Sequence, residues 1–170
     1  AAGGLVGEVA QVWKPKQINT FETDWGYSCM GYEISGALGI KMAKPNQEVI
    51  VFIGDGSYLL NNSDIYSSII YEKKLIIVVC DNSGHMVINR LQLAKGGKEY
   101  LCNLKTSRAT NFIEVDFAAH AASMGAETET VTSTSELESA FLRAKKSNKT
   151  YVIALKTHGY EWLEGTAFWE

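Results

Sequence analysis

Two short apolar runs that end in glycine, aspartate and asparagine constrain this chain more than any other feature. The run at 49–53 stops at a Gly-Asp-Gly triplet, and the run at 75–80 stops at Asp-Asn-Ser-Gly. A polar, mildly amphipathic segment of helical length separates them, which is the pattern of a βαβ unit. Because the carboxyl ends of parallel strands meet at one edge of a sheet, where open α/β sheets bind ligands, we expect Asp55 and Asn82 to lie side by side.

The residue types at this edge suit a diphosphate held by a magnesium ion. Asp55 offers an anionic oxygen and Asn82 a neutral carbonyl oxygen, and both are hard ligands that magnesium prefers. Gly54 and Gly56 let the backbone approach a ligand without an intervening Cβ. The backbone N–H groups of Gly56 and Ser57 suit a phosphate. A diphosphate bridged to the protein by magnesium satisfies all of these groups together.

The Gly-Asp-Gly triplet, the apolar strand and the spaced asparagine together resemble the thiamine diphosphate motif of the decarboxylase and acetolactate synthase superfamily. The resemblance implies thiamine diphosphate and Mg²⁺ as cofactors, with Asp55, Asn82 and the backbone carbonyl of Gly84 as metal ligands. The family usually has asparagine where this chain has Asp81, which leaves the ligand position unchanged. A Gly-Asp-Gly triplet alone also fits an ordinary turn, and it is the flanking strand and asparagine that favour a cofactor site.

Further residues beside these motifs are predicted to contact the cofactor. A turn of Ser-Cys-Met-Gly precedes a glycine-rich helix, and the resemblance implies that it borders the aminopyrimidine ring. His85 follows Asn82 in the loop expected to face the cofactor, where a substrate-facing role and an ordinary surface histidine are equally open. His120 is predicted to be structural. The predicted cofactor-binding set is Cys29, Met30, Gly31, Gly54, Asp55, Gly56, Ser57, Asn82, Gly84, His85 and Met86.

The remaining pattern predicts an α/β fold, a doubly wound parallel sheet with helices on both faces. Asp116 is the predicted N-cap of one helix, and Gly125 is its predicted C-terminal glycine. Residues 57–62 are predicted as a loop over the cofactor, and residues 95–111 as a mobile surface loop or lid. The predicted helices are 1–13, 31–43, 63–72, 85–93, 117–124 and one that begins at 135; the predicted strands are 18–21, 49–53, 75–80, 127–131 and 151–155.

Length and composition predict a single domain over residues 1–170 and exclude several classes of partner. A net charge of −3 gives no electrostatic case for nucleic acid or an acidic membrane. No apolar run approaches the roughly 18–20 residues that span a bilayer, and no signal peptide is recognisable. Cys29, Cys80 and Cys102 are odd in number and lack metal-ligand spacing, which is typical of free thiols in a reducing compartment, so we expect the cytoplasm.

Longer stretches of the chain resemble one branch of the superfamily. These are SCMGYEI, GIKMAKP and GDGSYL, with WKP upstream and VDFA and THGYE downstream. The resemblance implies a C–C bond hydrolase that opens a cyclic diketone to a deoxy sugar acid, 5-deoxy-glucuronate, in inositol catabolism. Two alternatives are an acetolactate synthase-like carboligase or decarboxylase, and a non-catalytic module that retains the fold.

The resemblance also implies what this chain lacks. Members of the superfamily carry three domains, and a glutamate on the pyrimidine-binding domain activates the cofactor. The chain resembles only the diphosphate-binding domain, the C-terminal third, and none of its residues is predicted to act as that glutamate. We therefore expect the activating group from a pyrimidine-binding domain across a homodimer, and we expect the fragment alone to be inactive. The aromatic tail at 160–169 is predicted to pack on a neighbouring domain or subunit.

Overall fold

The computed structural model describes residues 1, 3–24, 26–106 and 111–164. Strands and helices alternate through most of this part of the chain. The helices are α1 (Gly4–Val12), α2 (Tyr32–Ala43), α3 (Asp55–Leu60), α4 (Asp64–Ile70), α5 (Met86–Ala94), α6 (Phe117–Ser123) and α7 (Thr134–Lys146). The strands are β1 (Ile50–Gly54), β2 (Ile76–Asp81), β3 (Glu127–Val131) and β4 (Tyr151–Lys156), and a single 3₁₀ turn spans Leu104–Thr106.

The four strands form one parallel sheet in the order β1-β2-β4-β3. Gly54 at the end of β1 lies opposite Cys80 of β2, and Asp81 at the end of β2 lies opposite Lys156 of β4. The carboxyl ends of these three strands therefore meet at one edge. The predicted βαβ unit is confirmed, with α3 and α4 connecting β1 to its neighbour β2.

Helices pack against both faces of the sheet through hydrophobic side chains. On one face, side chains such as Ile53 and Ile77 pack with α2, α3, α4 and α6. On the other face, side chains such as Val78 and Ile153 pack with α7, and Leu5 of α1 joins them. All six residues of β2 are buried, as expected of a central parallel strand. The predicted doubly wound arrangement, with helices on both faces, is confirmed.

Two helix starts carry side-chain caps, and the one at Asp116 was predicted. The Asp116 carboxylate accepts a hydrogen bond from the backbone N–H of Ala119 at 2.9 Å, and Gly125 after α6 has a φ of 94°. Ser133 accepts from the N–H of Glu136 at 3.3 Å, and the Glu136 carboxylate accepts from the N–H of Thr132 at 2.7 Å. Each cap satisfies a backbone donor that the first helical turn leaves free.

Three predictions about local structure are wrong in whole or in part. Residues 18–21 form no strand; Ile18 is 91% exposed, and Thr20 turns back to bond the carbonyl of Gln17. The predicted loop at 57–62 is mostly α3, because Tyr58 is completely buried and anchors a helical turn. The predicted surface loop at 95–111 contains a buried segment at 102–103, and its residues 107–110 lie outside the described part of the chain.

Candidate functional site

Asp55 connects the ends of the two neighbouring strands. It is the first residue of α3 and is only 3% exposed. Its Oδ2 accepts a hydrogen bond from the N–H of Gly84 at 2.8 Å, and its Oδ1 accepts from the N–H of Gly56 at 2.7 Å. The Gly-Asp-Gly triplet therefore lies directly against the turn that follows β2 and carries Asn82.

The electrostatic environment of Asp55 disfavours its charged form. Burial raises the pKa of this carboxyl to about 6, although the hydrogen bonds from Gly84 and Gly56 act to lower it. The neighbouring Asp81 carboxylate raises the pKa further. Both groups that donate to Asp55 are neutral amides, so a divalent cation at this carboxylate would supply the charge compensation that those amides do not.

Asn82 presents an oxygen that nothing in the described part of the chain satisfies. Its Oδ1 is buried, yet no described residue donates a hydrogen bond to it. A buried acceptor of this kind costs about 1–3 kcal/mol when left unpaired, and a bound ion or water molecule is one way to satisfy it. A magnesium ion would coordinate this oxygen, and the donor set of carboxylate, amide oxygen and backbone carbonyl suits that metal.

Gly84 is fixed in a conformation that favours glycine. Its φ is 147°, and a Cβ at this position would lie 2.1 Å from the carbonyl oxygen of Cys102. Ser83 before it also has a positive φ, 66°. The turn after β2 is therefore sharply bent, which brings the Gly84 N–H onto Asp55.

A short segment at 102–104, which we name the strap, holds this turn from outside. The N–H of His85 donates to the carbonyl of Cys102 at 2.8 Å, and the N–H of Leu104 donates to the carbonyl of Ser83 at 2.9 Å. Gly84 and Asn103 form an antiparallel bridge between these two bonds. The strap was missed in the sequence because its polar residues carry no periodicity that would place them.

Side chains attach the strap to two other segments. Asn103 is 7% exposed, and its Nδ2 donates to the hydroxyl oxygen of Tyr160 at 2.8 Å. The same hydroxyl donates to Glu99 at 2.7 Å, and Glu99 also accepts from Asn89 of α5. Tyr160 and Trp162 of the predicted aromatic tail thus make contacts within the chain, Trp162 with its ring centroid 4.5 Å from the Arg90 guanidinium, and residues 165–169 of that tail lie outside the described part of the chain.

Asp81 forms a second buried carboxylate beside the turn. It is 4% exposed; its Oδ1 accepts from the N–H of Ser83 at 3.0 Å, and its Oδ2 accepts from Lys156 Nζ at 2.6 Å. Lys156 also donates to Glu114. Sequence reasoning noted Asp81 only as a departure from the family pattern, and the partner at Lys156 becomes visible only once β4 is placed beside β2.

His85, Met86 and Ser57 all lie at the same end of the sheet. A Cβ added to Gly56 would lie 2.6 Å from Cε1 of His85, so the exposed imidazole covers the Gly-Asp-Gly triplet. Met86 is buried and contacts Gly159, and Ser57 is 4% exposed within α3. The N–H of Gly56, predicted to meet a phosphate, donates to Asp55 in this structure.

The turn at Cys29, Met30 and Gly31 lies at the far end of α3 from Asp55. Gly31 has a φ of 92°, and a Cβ there would lie 2.6 Å from Cβ of Asn61, the residue that ends α3. Cys29 is exposed and its N–H donates to Asp24, and Met30 is 37% exposed. A six-residue helix is about 9 Å long, so a ligand that touches both ends of α3 must be extended.

The remaining histidines and acidic groups form no further metal centre in the described ranges. His120 shares a hydrogen bond of 2.9 Å with the Tyr58 hydroxyl, which agrees with a structural role. No group of three or more His, Cys, Asp or Glu side chains that could hold a metal ion is found among the described residues. In the same part of the chain, no helix is both long and apolar enough to cross a membrane.

A cavity of about 630 Å³ lies elsewhere, between α1, α2 and the β1 edge of the sheet. Its walls include Leu5, Trp13, Ile40 and Phe52, and neither Asp55 nor Asn82 lines it. The cavity therefore does not belong to the strand ends described above.

Comparison with known proteins gives a family match over most of the chain. Residues 1–155 match the family described as thiamine pyrophosphate enzyme, C-terminal TPP binding domain. The chain is 40% identical over 167 residues to 3D-(3,5/4)-trihydroxycyclohexane-1,2-dione hydrolase of Halalkalibacterium halodurans, covering 95% of this chain and 26% of that protein. It is also 40% identical over 181 aligned positions to the hydrolase 2 of the same name from Bacillus cereus, covering 98% of this chain and 28% of that protein.

A solved structure supports the fold independently. The thiamine diphosphate-dependent 4-hydroxybenzoylformate decarboxylase of Rhodococcus jostii superposes with a TM-score of 0.66 at 21% identity. The match covers 76% of this chain and 23% of that one. This likeness concerns the fold alone. The chain spans about a quarter of the length of the curated relatives that it matches.

Proposed function

Because the chain belongs to the family of C-terminal cofactor-binding domains of thiamine pyrophosphate enzymes, we propose that it holds thiamine diphosphate through a magnesium ion at the ends of β1 and β2. Asp55, the Asn82 side-chain oxygen and the Gly84 carbonyl are the proposed ligands. The observation that carries this proposal is the buried Oδ1 of Asn82, which no described residue satisfies, in the turn whose Gly84 N–H donates to the buried Asp55 carboxylate. Two oxygen acceptors cannot satisfy each other by hydrogen bonding, whereas a bound cation can coordinate both of them.

The chain's own residues would then bind and orient the cofactor along α3. The Asp55 end of this helix would take the diphosphate, with Gly56 and Ser57 closest to it. The turn at 29–31 would border the aminopyrimidine at the other end, where Gly31 meets Asn61. When bound, thiamine diphosphate supplies the carbanion chemistry that breaks or forms a carbon–carbon bond. The exposed His85, whose ring lies close to Gly56, would face the substrate from the same side.

We further propose that the full-length protein is a hydrolase that opens a trihydroxycyclohexane-1,2-dione to 5-deoxy-glucuronate, as part of inositol catabolism in the cytoplasm. Relatives at 40% identity over nearly the whole chain carry that hydrolase name, which supports the substrate class. The group that activates the cofactor is proposed to be a glutamate of a pyrimidine-binding domain, contributed across a homodimer.

A substrate panel on the full-length protein tests this function. We expect ring opening of the cyclic diketone that requires both thiamine diphosphate and magnesium, and no carboligation or decarboxylation of pyruvate. Turnover of pyruvate instead would replace the hydrolase with an acetolactate synthase-like activity. Binding of the cofactor with no turnover of any substrate would indicate a non-catalytic module. Turnover by the 170-residue chain alone would show that it carries an activating group of its own.

A further inference from the structure

Asp81 is a buried carboxylate that the proposed ligand set does not use. It lies directly before Asn82, and both of its oxygens are occupied by protein donors, one by the N–H of Ser83 and one by Lys156. The backbone carbonyl of Asp81 also accepts a hydrogen bond, from the N–H of Thr157 at 2.8 Å. Asp81 therefore links the turn after β2 to the end of β4.

Lys156 is the cation that compensates this buried charge. Its Cα pairs with that of Asp81 across the sheet, and its Nζ lies 2.6 Å from Oδ2. Although burial acts to lower the pKa of Lys156, the hydrogen bonds and charges of Asp81 and Glu114 outweigh it and raise that pKa, so the side chain stays charged. Removing Lys156 would leave the charge of the buried Asp81 uncompensated, which is unfavourable.

We propose, on the basis of the magnesium-held cofactor above, that Lys156 is a positioning residue for the metal site, which acts through Asp81 on the turn that carries Asn82 and Gly84. The path of this effect is short. Lys156 holds Asp81 Oδ2, and Asp81 Oδ1 holds the N–H of Ser83, which lies between the two proposed ligands.

Lys156 also compensates the negative charge of Asp81 next to the proposed ligands. Each Asp81 oxygen already accepts a hydrogen bond, one from the N–H of Ser83 and one from Lys156. A cation would therefore bind Asp55 and Asn82 in preference to Asp81.

A set of substitutions in the full-length protein tests this role. Magnesium-dependent binding of thiamine diphosphate is measured by calorimetry well below the unfolding temperature, and thermal unfolding is measured without metal. Lys156→Met should weaken cofactor binding by about tenfold or more, and Lys156→Arg should restore most of it. The matched control is Lys145→Met, which removes a lysine from an exposed pair with Glu48 and should leave binding unchanged.

The decisive variant removes both charges together. In Asp81→Asn/Lys156→Met, the asparagine oxygen can still accept from the N–H of Ser83, and the charge of Asp81 is removed together with that of its partner. Binding should therefore recover relative to Lys156→Met, which is the coupling expected of directly interacting residues.

Wild-type affinity in folded Lys156→Met would overturn the inference alone, and a lower unfolding temperature with that affinity would mark the pair as merely structural. Absence of magnesium-dependent cofactor binding in the wild-type protein would overturn the proposed function and this inference with it.

Discussion

Asp55 is the residue on which the candidate site depends most, because it is a buried acid whose hydrogen-bond donors among the described residues are the neutral amides of Gly56 and Gly84. Burial raises its pKa to about 6 from the ordinary value of 3.8. The folded protein therefore binds this proton more tightly than the unfolded chain does. Ionisation of Asp55 costs stability as the pH rises from about 4 to about 6, and the cost is complete above that range. A bound cation would offset it.

The corresponding prediction compares the wild-type protein with Asp55→Asn in the absence of metal. Relative to the variant, the wild type should lose up to about 3 kcal/mol of stability between pH 4 and pH 6, then remain level. Thermal unfolding of both proteins across this pH range measures the difference. A constant difference at every pH would show that Asp55 is not the buried, weakly acidic group described here.

A second testable residue is Gly84. Its positive φ disfavours other residues, and a Cβ there would clash with the Cys102 carbonyl oxygen. Gly84→Ala should displace the strap, destabilise the protein by about 2 kcal/mol or more and weaken cofactor binding. Gly39→Ala is the control, because that glycine lies in α2 with open space around it. The control should stabilise by about 1 kcal/mol, and unfolding curves separate the two. Equal effects would contradict the assigned packing at Gly84.

At the scale of elements, the four observed strands were predictable from the sequence, whereas α3 and the strap were not. β1 and β2 are apolar runs bounded by glycine and aspartate, and α6 and α7 begin at side chains that cap helices. In contrast, α3 depends on burial of Tyr58 against Phe117 and His120, and the strap depends on backbone bonds to residues far along the chain. Such contacts leave no local periodicity.

The strap yields a prediction about the dynamics of the turn that it holds. Asn103→Ala removes the bond to Tyr160 and the bond that Asn103 Oδ1 accepts from the N–H of Lys105. The N–H of His85, which donates to the strap, should then exchange with solvent at least about tenfold faster. Hydrogen exchange measures this rate, and Asn46→Ala, at an exposed turn, is the control. Unchanged protection at His85 would show that the strap is held without Asn103.

At the scale of the whole molecule, the parallel sheet explains why residues distant in sequence share one site. Its order places β1, β2 and β4 side by side, so that Asp55, Asn82 and Lys156 all follow or end strands at the same edge. The sequence could indicate the first two by their flanking motifs. It could not indicate Lys156, because a lysine at the end of a strand has no distinguishing pattern until its neighbour is known.

The most direct test of the account is calorimetric binding of thiamine diphosphate to the full-length protein, with and without magnesium. The account predicts binding that requires magnesium in the wild type and is abolished in both Asp55→Ala and Asn82→Ala, while circular dichroism shows that each variant remains folded. Unchanged affinity in either folded variant, or wild-type binding that does not depend on magnesium, would contradict the claim that these two oxygens anchor the cofactor through a metal ion.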